Sequence, residues 1–512
     1  MYPGAYVAST PDKPAVVMED DSEILTYAQL EDRSVRLANA FADAGLRPGD
    51  VVALLTENSP RVFEVYWACL RSGLYLTAVN WHLAKPEVGY ILADCGASAL
   101  VVSDSLLPLV EGDFPALHTR IRIGGETTHE GHRDYEELLA ASSPQPPAHQ
   151  PRGGDMLYSS GTTGRPKGIK PVLPDRQVHE PGDPYVGVFG PLYGFDQNAV
   201  YLSPAPLYHA APLRFGMIVT SLGGTVVVMP SFDAERAIRA IARYRVTHSQ
   251  WVPTHFVRML RLPVSVRGGF DLSSHAVAIH AAAPCPVEVK RRMIEWWGPI
   301  LEEYYASTEG AGGTFVGSLE WLEHPGTVGK PMIGTPRICD DAGNEVPVGE
   351  TGLIYFKRDD LPFTYHNAPE KTRSAQHPDH PTWTTVGDVG RLDEDGYLYL
   401  SDRKAFTIIS GGVNIYPQEI EDALLTHPAV LDVAVIGVPD PEFGESVLAV
   451  VQLVASADAS DETRASIAEF ARERLAGFKV PRRIEFTDAL PRTPTGKLVK
   501  GKLREEYGAA KV

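Results

Sequence analysis

Ser159-Ser160-Gly161-Thr162-Thr163-Gly164-Arg165-Pro166-Lys167-Gly168 is the stretch from which the rest of this chain is read. It holds four hydroxyls, three glycines and two cations, directly after Asp155-Met156-Leu157-Tyr158. Glycine leaves main-chain N–H groups unshielded, Ser and Thr add hydroxyl donors, and lysine adds a mobile positive charge, a combination suited to a polyphosphate. It is not the Walker pattern, which requires Gly-Lys followed by Ser or Thr. Pro166 precedes Lys167 and Gly168 follows it, and neither Gly496-Lys497-Leu498 nor Gly329-Lys330-Pro331 supplies that pattern elsewhere. A plain Gly/Ser linker would not end on Pro-Lys-Gly after a strand. The stretch points to a nucleotide enzyme outside the P-loop class.

Working outward, helix-like and strand-like segments alternate. Thr26 is placed to cap a helix over 26–44, Asp50 to Leu55 reads as a strand, and helices near 61–73 and 85–95 alternate with strands near 75–79 and 99–103. The same alternation covers 215–250 and 277–305, which predicts a parallel α/β sheet. Pro144, Pro146, Pro147 and Pro151 mark a surface connection leading into the glycine-rich loop. After about residue 325 short strands such as 352–357 and 396–401 suggest a small β-barrel. A second break at 401–405 precedes a helix over 417–426, strands over 430–438 and 445–454 and a helix over 462–475, a compact α+β unit. The expected fold is therefore α/β: a large N-terminal domain, 1–402, of layered sheets with a small β-barrel, then a small mobile α+β domain, 403–512.

A chain of 512 residues exceeds the size of one core. The net charge of −18 argues against nucleic acid or an anionic membrane as partner, so a polyanionic substrate must be met locally. One basic run exists, with ten Lys or Arg against Glu473, Glu485 and Asp488 between Ala471 and Arg504. Cys69, Cys95, Cys285 and Cys339 are far apart, which reads as reduced thiols with neither a zinc cage nor a disulfide framework. The start carries no signal-peptide pattern and no segment has bilayer length, so a soluble cytoplasmic protein, monomeric or homodimeric, is expected.

Five further segments accompany the loop in order: Pro206-Leu207-Tyr208-His209; Tyr305-Ala306-Ser307-Thr308-Glu309; Gly387-Asp388-Val389-Gly390; Asp402-Arg403 with Ser410 to Pro417; and Pro491 to Lys497. With them the chain, from about Thr26 to Arg504, resembles the adenylate-forming superfamily, and within it bacterial acyl-CoA synthetases of the fatty-acid ligase type. The resemblance implies ATP, Mg²⁺ and CoA as cofactors and a small-molecule carboxylic acid as substrate. It also implies roles. Ser159, Ser160, Gly161, Thr162, Thr163, Gly164 and Lys167 would hold the β- and γ-phosphates. Glu309 would ligate Mg²⁺ with Thr163, and Thr308 would touch the α-phosphate; a hard cation suits such oxygen ligands. Asp388 and Arg403 would hold the ribose, while Ala282, Ala283, Pro284, Tyr305 and Ala306 would line the adenine slot and pocket edge. His209 would orient the carboxylate, and Lys497 would bridge it to the α-phosphate. The C-terminal domain would then swing so that Gly411 and Gly412 replace Lys497 and let a pantetheine arm pass close to backbone.

Read without that context, Glu309 is a solvated loop acid, Asp388 a turn former, Gly411-Gly412 a hairpin turn and the basic run a solvated face. Three positions depart from the family pattern. Ala405 stands where an Asp or Lys hinge is usual, Ala306 adds a methyl where Gly is usual, and Val386 replaces the Thr before Gly-Asp. The Pro- and charge-rich 170–198 segment is longer than usual and is a candidate cover for the acyl entrance. Gln250 to Met259 carries Trp251 and Phe256 and no acid, which suits an apolar fatty or aryl acid better than an amino acid. The closest alternatives are loading of a carrier-protein thiol, which the absence of a carrier segment before Val512 disfavours, and a non-catalytic nucleotide-binding regulator.

Overall fold

The computed structural model describes residues 1–125, 129–159, 166–492 and 498–508. Two sheets carry the larger part of the chain. The first has nine strands in the order Lys330–Ile333, Gly313–Gly317, Leu301–Ala306, Val277–His280, His248–Trp251, Val200–Ser203, Thr225–Val228, Pro14–Met18 and Ile24–Thr26. Its middle is parallel and its outer pairings are antiparallel. The second has six parallel strands in the order Arg133–Asp134, Thr119–Ile123, Ala97–Ser103, Val51–Leu55, Tyr75–Ala78 and Gly154–Asp155. Every residue of Val51–Leu55 is buried, as expected where helices cover both faces of a parallel sheet.

Local sequence explains the helices. The Thr26 hydroxyl accepts a hydrogen bond from Gln29 N and Thr26 N donates in return to Gln29 Oε1, closing the capping box on Tyr27–Asp43. The long 170–198 segment contains a helix, Pro184–Tyr193. Asp183 caps it by accepting from Tyr185 N and Val186 N, and Gly194 ends it with φ +68°. Its inner face sets Phe189 against Phe215 and Tyr304, at ring separations of 5.3 and 5.7 Å.

The β piece expected after residue 325 is a five-stranded antiparallel sheet built on Thr335–Cys339, Gly352–Lys357, Asp388–Leu392 and Leu398–Arg403, with Trp383–Thr384 at its side. Beyond it lies another five-stranded sheet, in which Val413–Ile415, Ile408–Ser410, Gly444–Leu453 and Val430–Asp440 follow in order and Arg483–Thr487 joins Gly444–Leu453 in parallel. The helices Pro417–Leu424 and Asp461–Arg474 cover this sheet, and its apolar cores draw only on residues from 408 onward. Among the described residues no helix is long and apolar enough to cross a membrane.

Candidate active site

The strands Leu157–Ser159 and Lys167–Ile169 form an antiparallel pair with Lys167 opposite Ser159. Ser160, Gly161, Thr162, Thr163 and Gly164 lie outside the described residues. The hairpin is zipped to a later segment: Ile169 bridges Tyr365, and His366 N donates to Gly168 O at 2.8 Å. That contact brings three side chains together. The Tyr365 hydroxyl donates to Glu309 Oε1 at 2.9 Å, and Lys167 Nζ lies 4.7 Å from the centre of the Tyr365 ring. Burial lowers the Lys167 pKa, Glu309 opposes that shift, and Lys371 and Arg403 add to it. Burial and then Glu309 push the Tyr365 phenol upward, so it stays a donor. A cation, a carboxylate and a neutral phenol thus share one corner.

The second cluster sits where Asp388–Leu392 pairs with Leu398–Arg403, with Asp388 in register with Arg403. Asp388 is only 8% exposed; it accepts from the Tyr305 hydroxyl at 2.6 Å and lies 3.0 Å from Arg403 Nε. Burial followed by the Asp388 charge raises the Tyr305 pKa well above its ordinary value. Val386 offers no hydroxyl, but Thr385 accepts from Gly387 N at 3.0 Å and steadies the turn into Asp388. After the strand Val277–His280, Ala282 and Ala283 are exposed and Pro284 half-buried. Ala282 holds a left-handed φ of +78°, a strained conformation for a residue with a Cβ. Ala306 ends the Leu301–Ala306 strand at an exposed position, and Thr308 and Glu309 are half-buried in the turn after it. Beside them the buried Ser307 Oγ has no hydrogen-bond partner among the described residues.

This geometry has a match in sequence. Residues 5–365 match the AMP-binding enzyme family and residues 419–497 the AMP-binding enzyme C-terminal domain. The chain belongs to the AMP-binding enzymes. It is 36% identical over 502 residues to the feruloyl-CoA synthase of Amycolatopsis sp, covering 96% of each chain. It is 32% identical over 490 residues to the long-chain-fatty-acid–CoA ligase FadD13 of Mycobacterium tuberculosis, covering 95% of this chain and 93% of the relative. Among solved structures, the anthranilate CoA ligase AuaEII in complex with anthranoyl-AMP superposes with a TM-score of 0.83 at 26% identity, over 98% of this chain and 96% of that one. The α/β architecture with a smaller C-terminal unit is therefore that of adenylate-forming enzymes.

In this AMP-binding enzyme His209 is the N-cap residue of the helix Ala210–Ser221, half-buried, with its ring 4.4 Å from that of Tyr208. The same helix carries Arg214, whose guanidinium grips Asp155 through two bonds of 2.8 Å, tying the helix to the approach of the glycine-rich stretch. Gly411 and Gly412 form the two-residue turn between Ile408–Ser410 and Val413–Ile415, at φ +57° and +81°, a geometry that glycine adopts without strain. The turn is exposed, and Gly411 N donates to Phe443 O at 2.8 Å. Lys497 lies outside the described residues; Arg492 and Leu498, on either side of that segment, form a bridge with each other. Much of the basic run is already paired: Arg472 with Glu469, Arg474 with Glu473, Lys479 with Glu419, Arg483 with Glu485, Arg492 with Asp432 and Lys500 with Glu421.

Sequence reasoning did not single out Tyr365. Its signal is local: Tyr-His-Asn-Ala-Pro, with Asn367 at φ +51° and Pro369 opening the helix Pro369–Ser374, fixes the aromatic at a turn. As for a metal, no group of three or more His, Cys, Asp or Glu that could hold an ion occurs among the described residues. Glu309 offers a carboxylate oxygen, the donor type that Mg²⁺ takes beside waters and substrate phosphates.

Proposed function

We propose that this protein is an AMP-forming acyl-CoA ligase for an apolar acid, fatty or aryl. The observation that carries the reading is the pair of adjacent clusters, Lys167–Tyr365–Glu309 for phosphates and Asp388–Tyr305–Arg403 for a ribose. In the first half-reaction a carboxylate oxygen bonds to the α-phosphorus of ATP as the bond to the β-phosphate bridging oxygen breaks and pyrophosphate leaves. Both reactants are anions, so the chain has to cancel repulsion and hold them in line; it needs no nucleophile of its own. Lys167, with Ser159, Ser160, Gly161, Thr162, Thr163 and Gly164, holds the departing phosphates. Glu309 and Thr163 would hold Mg²⁺, which when bound neutralises phosphate charge. Tyr365 fixes the Glu309 carboxylate, Thr308 contacts the α-phosphate, and His209 orients the acid. Ala282, Ala283, Pro284 and Tyr305 flank the adenine, and the Ala306 methyl narrows the acyl pocket.

In the second half-reaction the CoA sulfur bonds to the acyl carbon, the thiol proton passes to water, and AMP leaves. We assign Lys497 to the first step and Gly411 and Gly412 to the second, with the chain dividing into domains at 402/403. The separate apolar cores beyond residue 407 support that division. The test is a panel of aryl and fatty acids assayed for AMP release with and without CoA, the thiol product being identified by mass spectrometry. AMP formed only with acid, and an acyl-CoA formed only when CoA is added, supports the reading. ATP binding without AMP release for every acid would replace it with a nucleotide-binding regulator.

A further inference from the structure

The helix Pro253–Leu260 belongs to the N-terminal part of the chain, and its C-cap residue Arg261 reaches out of it. Arg261 Nη1 donates to Leu431 O at 2.7 Å and Nη2 to Val430 O at 2.7 Å. Both acceptors are main-chain carbonyls at the start of Val430–Asp440, in the C-terminal sheet. They are available because the strand is irregular there. Val430 pairs with Leu453 and Asp432 with Gln452, so Leu431 is an extra residue against its partner strand. Such a bulge turns carbonyls out of the ladder. The next residue, Asp432, holds Arg492 through bonds of 2.5 and 2.6 Å, and Arg492 is the last described residue before the segment with Lys497.

The connection between the two parts runs through residues 402–407, where contacts from both sides meet. Lys404 N donates to Gly387 O at 2.9 Å and Lys404 Nζ to Asp341 Oδ1 at 2.6 Å, both on the N-terminal side. Arg504 Nη1 donates to Ala405 O at 2.9 Å, from the C-terminal side. Rotation of one part against the other therefore falls on the short connection around Lys404, and a contact remote from it helps to decide where the rotation rests. In this orientation the Gly411–Gly412 turn is exposed.

We infer that Arg261 is a positioning residue, a latch that holds the C-terminal unit in its adenylate-forming orientation and is released for thioester formation. The inference rests on the two-step ligase reading above. Its test uses the full-length protein and whichever of benzoate, cinnamate, octanoate and palmitate supports AMP release. Arg261→Ala is expected to slow pyrophosphate exchange by roughly three- to tenfold, the loss of two bonds from a partly exposed donor. Transfer to CoA from the supplied synthetic acyl-adenylate is expected to stay unchanged or to quicken, and Arg261→Lys to recover part of the exchange. Arg261 is exposed at a helix end, so the variant is expected to keep its fold. Equal losses in both half-reactions, or no change in exchange, overturn the latch.

A second measurement needs no substrate. Leu319 and Phe478 are 70% and 54% exposed, one on each side of the link. Spin labels there should report a wider distance distribution in Arg261→Ala than in the parent, and identical distributions overturn the proposal. Failure of the parent protein to release AMP with any acid would defeat the ligase reading instead, leaving the distance result to stand alone.

Discussion

Tyr365 shows how a single side chain organises one corner of the candidate site. It fixes Glu309 through its oxygen and faces Lys167 with its ring, so one side chain sets the spacing between the carboxylate and the cation. Tyr365→Phe keeps the ring and removes the bond. A hydrogen bond to a carboxylate is worth about 1.5–3 kcal/mol, so kcat/KM for ATP should fall by about tenfold or more while KM for the acid stays put. Steady-state kinetics with each substrate varied in turn will check this; an unchanged ATP dependence would remove Tyr365 from the site. Lys497→Ala should abolish adenylate formation and spare thioester formation from a supplied acyl-adenylate. Losing one preorganised cationic donor should cost about 3–4 kcal/mol of transition-state stabilisation. Equal loss of both half-reactions would contradict that assignment. The Asp388–Arg403 pair was readable in the sequence because each residue stands in a recognisable motif, whereas Tyr365 was not. Its partner Glu309 is distant in sequence, and only the zipper between 365–366 and 168–169 makes them neighbours.

At the scale of elements, the alternation of strands and helices read from hydrophobic spacing is the alternation observed, from Tyr27–Asp43 through Ala97–Ser103. Less legible was the helix Pro184–Tyr193, hidden in a Pro- and charge-rich stretch whose in-helix proline, Pro191, argues against helix by propensity, although Pro184 suits the first helical position. Capping by Asp183 and burial of Val186, Phe189 and Tyr193 outweigh that cost. The Arg214–Asp155 pair joins elements that sequence spacing cannot relate. Asp155 is buried and Arg214 nearly so, and Tyr66 donates a further bond to Asp155 at 3.2 Å. Arg214→Gln strands the carboxylate, so about 3–5 kcal/mol of stability should be lost, while Arg214→Met with Asp155→Leu should regain most of it. Urea denaturation of the single and double variants decides the matter: equal destabilisation by both would mean that packing, and not charge, holds the site.

For the whole molecule, the junction between the two parts contains a cavity of about 270 Å³ lined by Cys285 and Glu303 from one side and by Tyr416, Gln418 and Asp422 from the other. Burial, chiefly, pushes the Asp422 pKa up to about 7; Glu421 and Asp402 add to the shift, while Gln418 and Lys500 oppose it. A carboxyl with a raised folded-state pKa binds its proton more tightly when folded. Its stabilising contribution is complete below the ordinary carboxylate range and is lost as pH rises toward about 7. Melting temperature should therefore drop from about pH 5 to about pH 8, and Asp422→Asn should flatten that drop. An identical slope in the variant would show that Asp422 does not titrate in this window; Glu302, also raised to about 7 by burial, then becomes the group to replace.

The contact of Arg261 with Val430 and Leu431 carries a consequence for solution behaviour. A guanidinium seated on neutral carbonyls is a charge meeting dipoles, and salt screens that far less than it screens a pair of opposite charges. A chain of net charge −18 would ordinarily let ionic strength shift how its parts sit together. Here the contact itself should weaken with salt less than an ion pair would, the neighbouring Asp432 charge supplying the part that salt screens.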